Sequence, residues 1–70
     1  MTEMFPVDST NVEAIGHDPL AQELYVRFVK GPTYVYHGVP EDVYQELMAA
    51  TSKGSYLNRI IKPNYQFTKL

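Results

Sequence analysis

The sequence predicts a small α+β domain: a three-stranded antiparallel meander followed by two short helices packed on one face of the sheet. Three observations lead to this fold class. The chain has 70 residues, 44% of them apolar, which suffices for one modest hydrophobic core. Its middle part alternates apolar and polar residues with the period of a strand, and its later part repeats apolar residues at helical spacing. Prolines and glycines separate these segments. We expect a single domain over residues 5–70.

The predicted strands occupy residues 12–17, 23–29 and 33–39. In the second strand, apolar side chains alternate with Glu23 and Arg27, so the two kinds of side chain lie on opposite faces. The third strand is rich in β-branched and aromatic residues. Asp18 and Pro19 predict the turn between the first two strands, because the residue before a proline avoids the helical conformation.

The turn between the second and third strands sets their register. Pro32 has no N–H to donate, so we predict a three-residue loop, Val29–Gly31, with Gly31 in the left-handed conformation. This loop pairs Phe28 with Pro32, Val26 with Tyr34, and Leu24 with Tyr36. Tyr34 and Tyr36 are therefore expected to be core residues on the helix-covered face.

The opposite face of the sheet is expected to be open. It would carry Tyr25, Arg27, Thr33, Val35 and His37, with Glu23 across from His37. An exposed face with an aromatic ring and a guanidinium group can stack nucleic-acid bases, so Tyr25 and Arg27 are candidate binding residues. The alternative is an ordinary solvent-exposed sheet face.

Two helices complete the predicted fold. Pro40 suits the first position of the first helix, and the acidic pair Glu41 and Asp42 suits its first turn. The second helix is expected to begin after the N-cap Ser52, to reach about Ile61 and to be stopped by Pro63. Its apolar stripe would consist of Tyr56, Leu57, Ile60 and Ile61. Its polar face would consist of Ser55, Asn58, Arg59 and Lys62.

Charge is segregated along the chain, although the net charge is only −2. Residues 1–23 contain acids and no lysine or arginine, and residues 53–70 contain cations and no acid. The cations of the last segment are Lys53, Arg59, Lys62 and Lys69. This pattern indicates either a basic binding face or two solvated faces that attract each other.

The start of the second helix is the one local motif that suggests a ligand. Residues 52–55 read S-K-G-S, and Asn58 follows one turn later. Free N–H groups at a helix start and the charge of Lys53 favour an anion, and Gly54 leaves space for a phosphate. Alternatively, Ser52 only caps the helix, Lys53 is solvated and Gly54 eases packing.

Other chemistry is not indicated. The sequence has no cysteine, and His17 and His37 lack the spacing of metal ligands, so neither a metal nor a cofactor is expected. No glycine-rich phosphate loop or nucleophile elbow occurs, and helix-dipole complementarity explains Glu41 and Asp42, so we expect no enzyme. No apolar run is long enough for a membrane span and no signal peptide precedes the domain, so we expect a cytoplasmic location.

Several segments together resemble the KTSC domain family. Residues 33–40 (T-Y-V-Y-H-G-V-P) are similar to the family's Y-x-Y followed by G-V-P, and residues 52–58 (S-K-G-S-Y-L-N) to its S-K-G-x-[YF]-x-N. Residues 7–10 and 15–18 resemble its V-x-S-[ST] and I-G-Y-D segments, with His17 in the place of the tyrosine. The family takes its name from the C-terminus of some lysyl-tRNA synthetases and also occurs as small bacterial and phage proteins.

The resemblance implies a fold, and the attachment to those synthetases suggests RNA binding. The first hypothesis is therefore a non-enzymatic module that binds RNA or another polyanion through Lys53, Arg59 and Lys62, although a pI near 5.5 is low for such a protein. The second is a protein-interaction or self-assembling module, since a small core gains stability from oligomerisation. The third is capture of a nucleotide at the start of the second helix.

Overall fold

One antiparallel sheet, with its strands in sequence order, forms the body of the domain. A computed structural model describes residues 2–70. The strands are β1 (Phe5–Pro6), β2 (Val12–Asp18), β3 (Glu23–Phe28), β4 (Thr33–His37) and β5 (Phe67–Lys69). The prediction of three strands was wrong: the sheet has five. The edge strands β1 and β5 are short, and they pair with the longer strands β2 and β4.

The register between β3 and β4 is as predicted, with Val26 opposite Tyr34 and Leu24 opposite Tyr36. The conformation of the turn differs. Gly31 N–H donates to Phe28 O at 3.1 Å, and the positive φ of 56° belongs to Lys30 rather than to Gly31. A Cβ at position 31 would lie 3.3 Å from the Cβ of Phe28, so this glycine permits a close approach within the hairpin.

Two helices follow the fourth strand. Helix α1 is Glu41–Ala49, with Pro40 at its N-cap. Helix α2 spans residues 53–64 as an α-helical turn (Lys53–Tyr56), a π-helical turn (Leu57–Ile61) and a last turn (Lys62–Asn64). Ser52 Oγ accepts the N–H of Ser55 at 3.2 Å, which is the predicted N-cap bond. No helix within residues 2–70 is long and apolar enough to cross a membrane.

The predicted end of the second helix was wrong, because Pro63 lies inside its last turn. A proline removes one backbone donor, and its ring clashes with a carbonyl of the preceding turn of a regular α-helix. Here the preceding turn is π-helical: Lys62 N–H donates to Leu57 O, five residues back. The change of hydrogen bonding just before Pro63 lets the helical path continue to Asn64.

The core lies between the sheet and the two helices. Its buried side chains come from every central strand and from both helices. They are Val12, Ile15, Leu24, Val26, Tyr36, Val39, Leu47, Leu57 and Ile61. Tyr36 is a core residue as predicted, whereas Tyr34 is only half-buried at the margin. Ile60 is 37% exposed, so the buried stripe of α2 is narrower than predicted.

The other face, here called the outer face, is not fully open, contrary to the prediction. Val35 is only 5% exposed on that face. The N-terminal residues lie against it: a Cβ at Gly16 would overlap the Glu3 carbonyl oxygen and would lie 2.9 Å from Met4 Sδ. Residues 2–4 therefore cover part of the outer face, next to the half-buried Tyr25.

Candidate functional site

The polar face of α2 presents three of the predicted site residues to solvent. Leu57 and Ile61 are buried against the sheet, which turns Asn58, Arg59 and Lys62 outward. Within residues 2–70, Arg27 forms an ion pair with Glu13, and the His37 ring lies 3.5 Å from the Glu23 carboxylate. Arg59 and Lys62 thus have no carboxylate partner in the described chain, and their charges are free to attract an anion.

Lys53 and Gly54, at the other end of α2, are less suited to this role. The Lys53 ammonium donates to the Ala50 carbonyl at 2.9 Å and is half-buried. The neighbouring groove is lined by residues 8–10 and 51–53, so an acidic residue, Asp8, shares it and disfavours a phosphate there. A Cβ at Gly54 would meet only Asn11 Nδ2, at 3.6 Å. That is ordinary contact, so packing does not require this glycine.

Tyr25 and Arg27 lie on the outer face, away from α2. Arg27 Nε is 2.9 Å from Glu13 Oε2, and the Tyr25 hydroxyl donates to Glu23 Oε1 at 3.2 Å. Burial, followed by that hydrogen bond to Glu23, raises the pKa of Tyr25. The predicted site residues therefore fall into two separate groups, and the cation of the outer group already has an anionic partner.

The structure contains an aromatic cluster of which three members were predicted to share one face of the sheet, whereas the fourth, Phe67, was not expected there. The cluster consists of Phe28, Tyr34, Tyr36 and Phe67, on the helix side of the sheet beside β5. The Tyr34 ring packs edge-on at a centroid distance of 5.5 Å from Phe28 and 5.1 Å from Phe67. Phe67 is 58% exposed, because neither helix covers this margin of the sheet. The alternation of Tyr65 and Phe67 with polar residues predicts an extended, docked tail, and Phe67 does lie in β5; its position beside Tyr36 was not predicted.

Two lysines flank the aromatic cluster. Lys62 Nζ lies 5.7 Å from the centroid of the Phe28 ring, within the range of a cation–π contact. Lys69 is the strand partner of Tyr34 and so lies on the same face of the sheet. An open groove between the end of α2 and β5 includes Lys62 and Phe67 among its lining residues. Lys62 of α2 and the exposed aromatic ring thus belong to one continuous surface.

The acidic side of α1 is joined to α2 by a hydrogen bond. The Tyr56 hydroxyl donates to Glu46 Oε1 at 2.8 Å. Burial, and then this contact with Glu46, raises the pKa of Tyr56 to about 12. The phenol stays protonated at neutral pH, so the contact is a charge-assisted hydrogen bond that fixes one helix against the other.

His17, which stands in the place of a tyrosine in the family pattern, lies on the helix side. Its ring stacks on Tyr44 of α1, with centroids 4.8 Å apart and an interplanar angle of 10°. Its Nε2 is 2.8 Å from the Val39 carbonyl oxygen and donates to it. Among residues 2–70, no group of three or more histidine or acidic side chains is arranged to hold a metal ion.

Comparison with known proteins places this geometry in a family. The family model described as "KTSC domain" matches residues 8–65. A protein from Tsukamurella paurometabola is 45% identical over 67 residues, which cover 96% of this chain and 100% of that protein. A lysine–tRNA ligase from a Nostoc species is 36% identical over 59 residues, which cover 84% of this chain but only 10% of the ligase.

The fold has also been observed in a crystal structure. A KTSC domain protein from Yersinia pestis superposes with a TM-score of 0.96 at 36% sequence identity, covering 100% of this chain and 99% of that one. The match includes the edge strands β1 and β5, since it extends over the whole chain. The resemblance of the sequence motifs is thereby confirmed, and the chain belongs to the KTSC domain family.

Proposed function

We propose that this protein is a non-enzymatic module that binds RNA through the exposed basic face of α2. One observation carries the proposal: Arg59 and Lys62 project from a segment without acids and form no ion pair within residues 2–70. RNA is a polyanion, and such a surface attracts its phosphates. The match to a segment of lysine–tRNA ligases supports RNA as the partner, because those enzymes act on tRNA.

The proposed contacts predict how strongly RNA binding depends on salt concentration. Lys62 and Arg59 would each neutralise one phosphate, and Lys69 is the third exposed cation on the same side. Three phosphate contacts with a single strand give a slope of roughly −2 for log K against log salt concentration. A surface with only three such contacts binds weakly at physiological salt, in accordance with the low pI of the chain.

The test compares two variants whose net charge falls by the same amount. Arg59→Gln with Lys62→Gln removes the two cations of α2. Leu20→Glu with Gln45→Glu adds two carboxylates at exposed positions elsewhere, and Leu20 is 97% exposed. Binding to a labelled uridine oligonucleotide of about twelve residues is measured by fluorescence anisotropy at several salt concentrations.

We expect the α2 variant to lose most of its affinity, with the salt slope reduced to roughly −0.7, the value for one remaining contact. The control should keep the slope of the wild type, since it leaves all the proposed contacts in place. Equal losses in the two variants would mean that only net charge matters. Absence of binding by the wild type at low salt would overturn the proposal.

A second candidate function, self-association, is favoured by the sheet edges. The backbones of β1 and β5 form the two margins of the sheet, and Phe5 and Phe67 are both substantially exposed there. The β1 edge lies in the acidic part of the chain and the β5 edge in the basic part. The β1 edge of one copy is therefore expected to attract the β5 edge of another. Light scattering after size exclusion, at low and high salt, would show an oligomer that dissociates with salt.

A further inference from the structure

We propose that the aromatic cluster of Phe28, Tyr34, Tyr36 and Phe67 is a base-stacking platform for single-stranded nucleic acid, with Phe67 as the ring that contacts a base. This inference rests on the proposed function, since the phosphates of the same strand would be held by α2. It adds a second kind of contact, which selects strands whose bases are not already paired and stacked.

The cluster holds its exposed ring in place. Phe67 packs against Tyr34 at 5.1 Å with an interplanar angle of 72°, and against Tyr36 at 5.8 Å. Tyr36 is itself buried, and it is paired with Phe67 in the β4–β5 register. A ring fixed in this way loses little conformational freedom when a base stacks on it. Its exposed fraction of 58% leaves room for that base.

The charges around the cluster identify the occupant. Lys62 reaches the Phe28 ring, and Lys69 stands opposite Tyr34 on the same side of the sheet. Residues 53–70, which form both α2 and β5, contain no carboxylate side chain. An aromatic surface with two lysines beside it matches a ligand that alternates flat rings and phosphates, which is the chemistry of a single nucleic-acid strand. A duplex keeps its base faces stacked inside and offers phosphates alone.

The sheet provides a matched control for the key residue. Phe5 lies on the other edge strand, is 46% exposed and is paired with the core residue Ile15, so it lies on the helix side of the sheet like Phe67. Phe67→Leu and Phe5→Leu each replace an exposed ring by an aliphatic side chain. Both should melt within a few degrees of the wild type, because exposed positions contribute little to stability.

The experiment uses three probes for each variant: a single-stranded uridine oligonucleotide, a duplex RNA of equal length and inorganic polyphosphate. We expect Phe67→Leu to weaken single-strand binding on the order of tenfold, the effect of losing one base stack. Binding of the duplex and of polyphosphate should be unchanged, because both depend on phosphate contacts. Phe5→Leu should bind all three probes as the wild type does.

A tryptophan variant gives a direct readout, since the chain contains no tryptophan. Phe67→Trp should retain single-strand binding, and its fluorescence should be quenched by the oligonucleotide but not by polyphosphate.

Unchanged single-strand affinity in Phe67→Leu would overturn the platform while leaving the α2 contacts intact. A dimer that Phe67→Leu converts to a monomer, with RNA affinity unaltered, would assign the ring to a second copy instead. Failure of the wild type to bind any probe would overturn both proposals.

Discussion

The two faces of the sheet are built in opposite ways. On the helix side, most contacts are apolar and aromatic, and Arg59 and Lys62 have no carboxylate partners within residues 2–70. On the outer face, side chains form polar pairs across neighbouring strands: Arg27 with Glu13, and His37 with both Glu23 and Thr68. The outer face neutralises its own charges, whereas the helix side leaves its cations available.

The difference between the faces indicates which of them is suited to binding an anionic ligand. The polar pairs of the outer face are exposed to solvent, so each contributes little to stability. Their charged groups already have partners within the protein and are less available to a ligand. The helix side combines a rigid core with a margin that no helix covers, at Phe67. A binding surface benefits from both features, because the core fixes the positions of groups that the margin exposes.

The two faces should differ most in how much stability is lost when a tyrosine is truncated to alanine. Tyr36→Ala removes a ring that is 2% exposed and should lower the free energy of unfolding by about 3 kcal/mol. Tyr25→Ala, on the outer face, should cost about 1 kcal/mol, because that ring is only half-buried. Urea unfolding measures both. If Tyr25→Ala proves the more damaging, the comparison of the faces is reversed.

The sequence predicted the central part of the fold because its signals there are local. The alternation over residues 23–28 and the missing N–H of Pro32 were enough to fix the β3–β4 register. The helix start at Ser52 followed from its side-chain chemistry. The edge strands could not be predicted in the same way, since Phe67 finds its place only by pairing with Tyr36, far back in the chain.

The candidate site was predicted in part for the same reason. The exposure of Arg59 and Lys62 follows from helical periodicity, which is a local property. The association of Lys62 with Phe28 and of Tyr34 with Phe67 depends on tertiary packing. The periodicity also gave no hint of the π-helical turn, which changes the path of the helix before Pro63.

A smaller effect tests whether the N-terminal segment belongs to the outer face. In Gly16→Ala the new Cβ would press on the Glu3 carbonyl, so residues 2–4 must move away. We expect a loss of about 2 kcal/mol in unfolding free energy, the usual cost of overpacking. Gly54→Ala is the control: its Cβ meets no atom closer than 3.6 Å, and an alanine within a helix should stabilise by about 0.5 kcal/mol. Equal stability of Gly16→Ala and the wild type would contradict the packing of residues 2–4 on Gly16.

A pH-dependent effect belongs to the contact between the helices. The pKa of Tyr56 is about 12 in the folded protein, mainly through burial and then through Glu46, against 10 for a free tyrosine. The stabilisation is therefore present below pH 10 and is lost as the pH rises from 10 to 12. Tyr56→Phe should lower the free energy of unfolding by about 1 kcal/mol at neutral pH. The stability of this variant should decline less steeply than that of the wild type between pH 10 and 12. Parallel stability curves for the two proteins would rule out this role for Tyr56, since the other tyrosines are common to both.

The smallest expected effect concerns the ion pair of the outer face, and it bears directly on function. Glu13 and Arg27 are 54% and 46% exposed, so Arg27→Gln should change the free energy of unfolding by less than about 0.5 kcal/mol. RNA affinity should fall only slightly, through the net charge, because the Arg27 charge is already matched by a carboxylate 2.9 Å away. Glu13→Gln would release that cation and should strengthen binding only slightly, through the net charge. A loss of RNA binding in Arg27→Gln comparable to that in the α2 variant would locate the binding surface on the outer face, and the two faces would then exchange their roles.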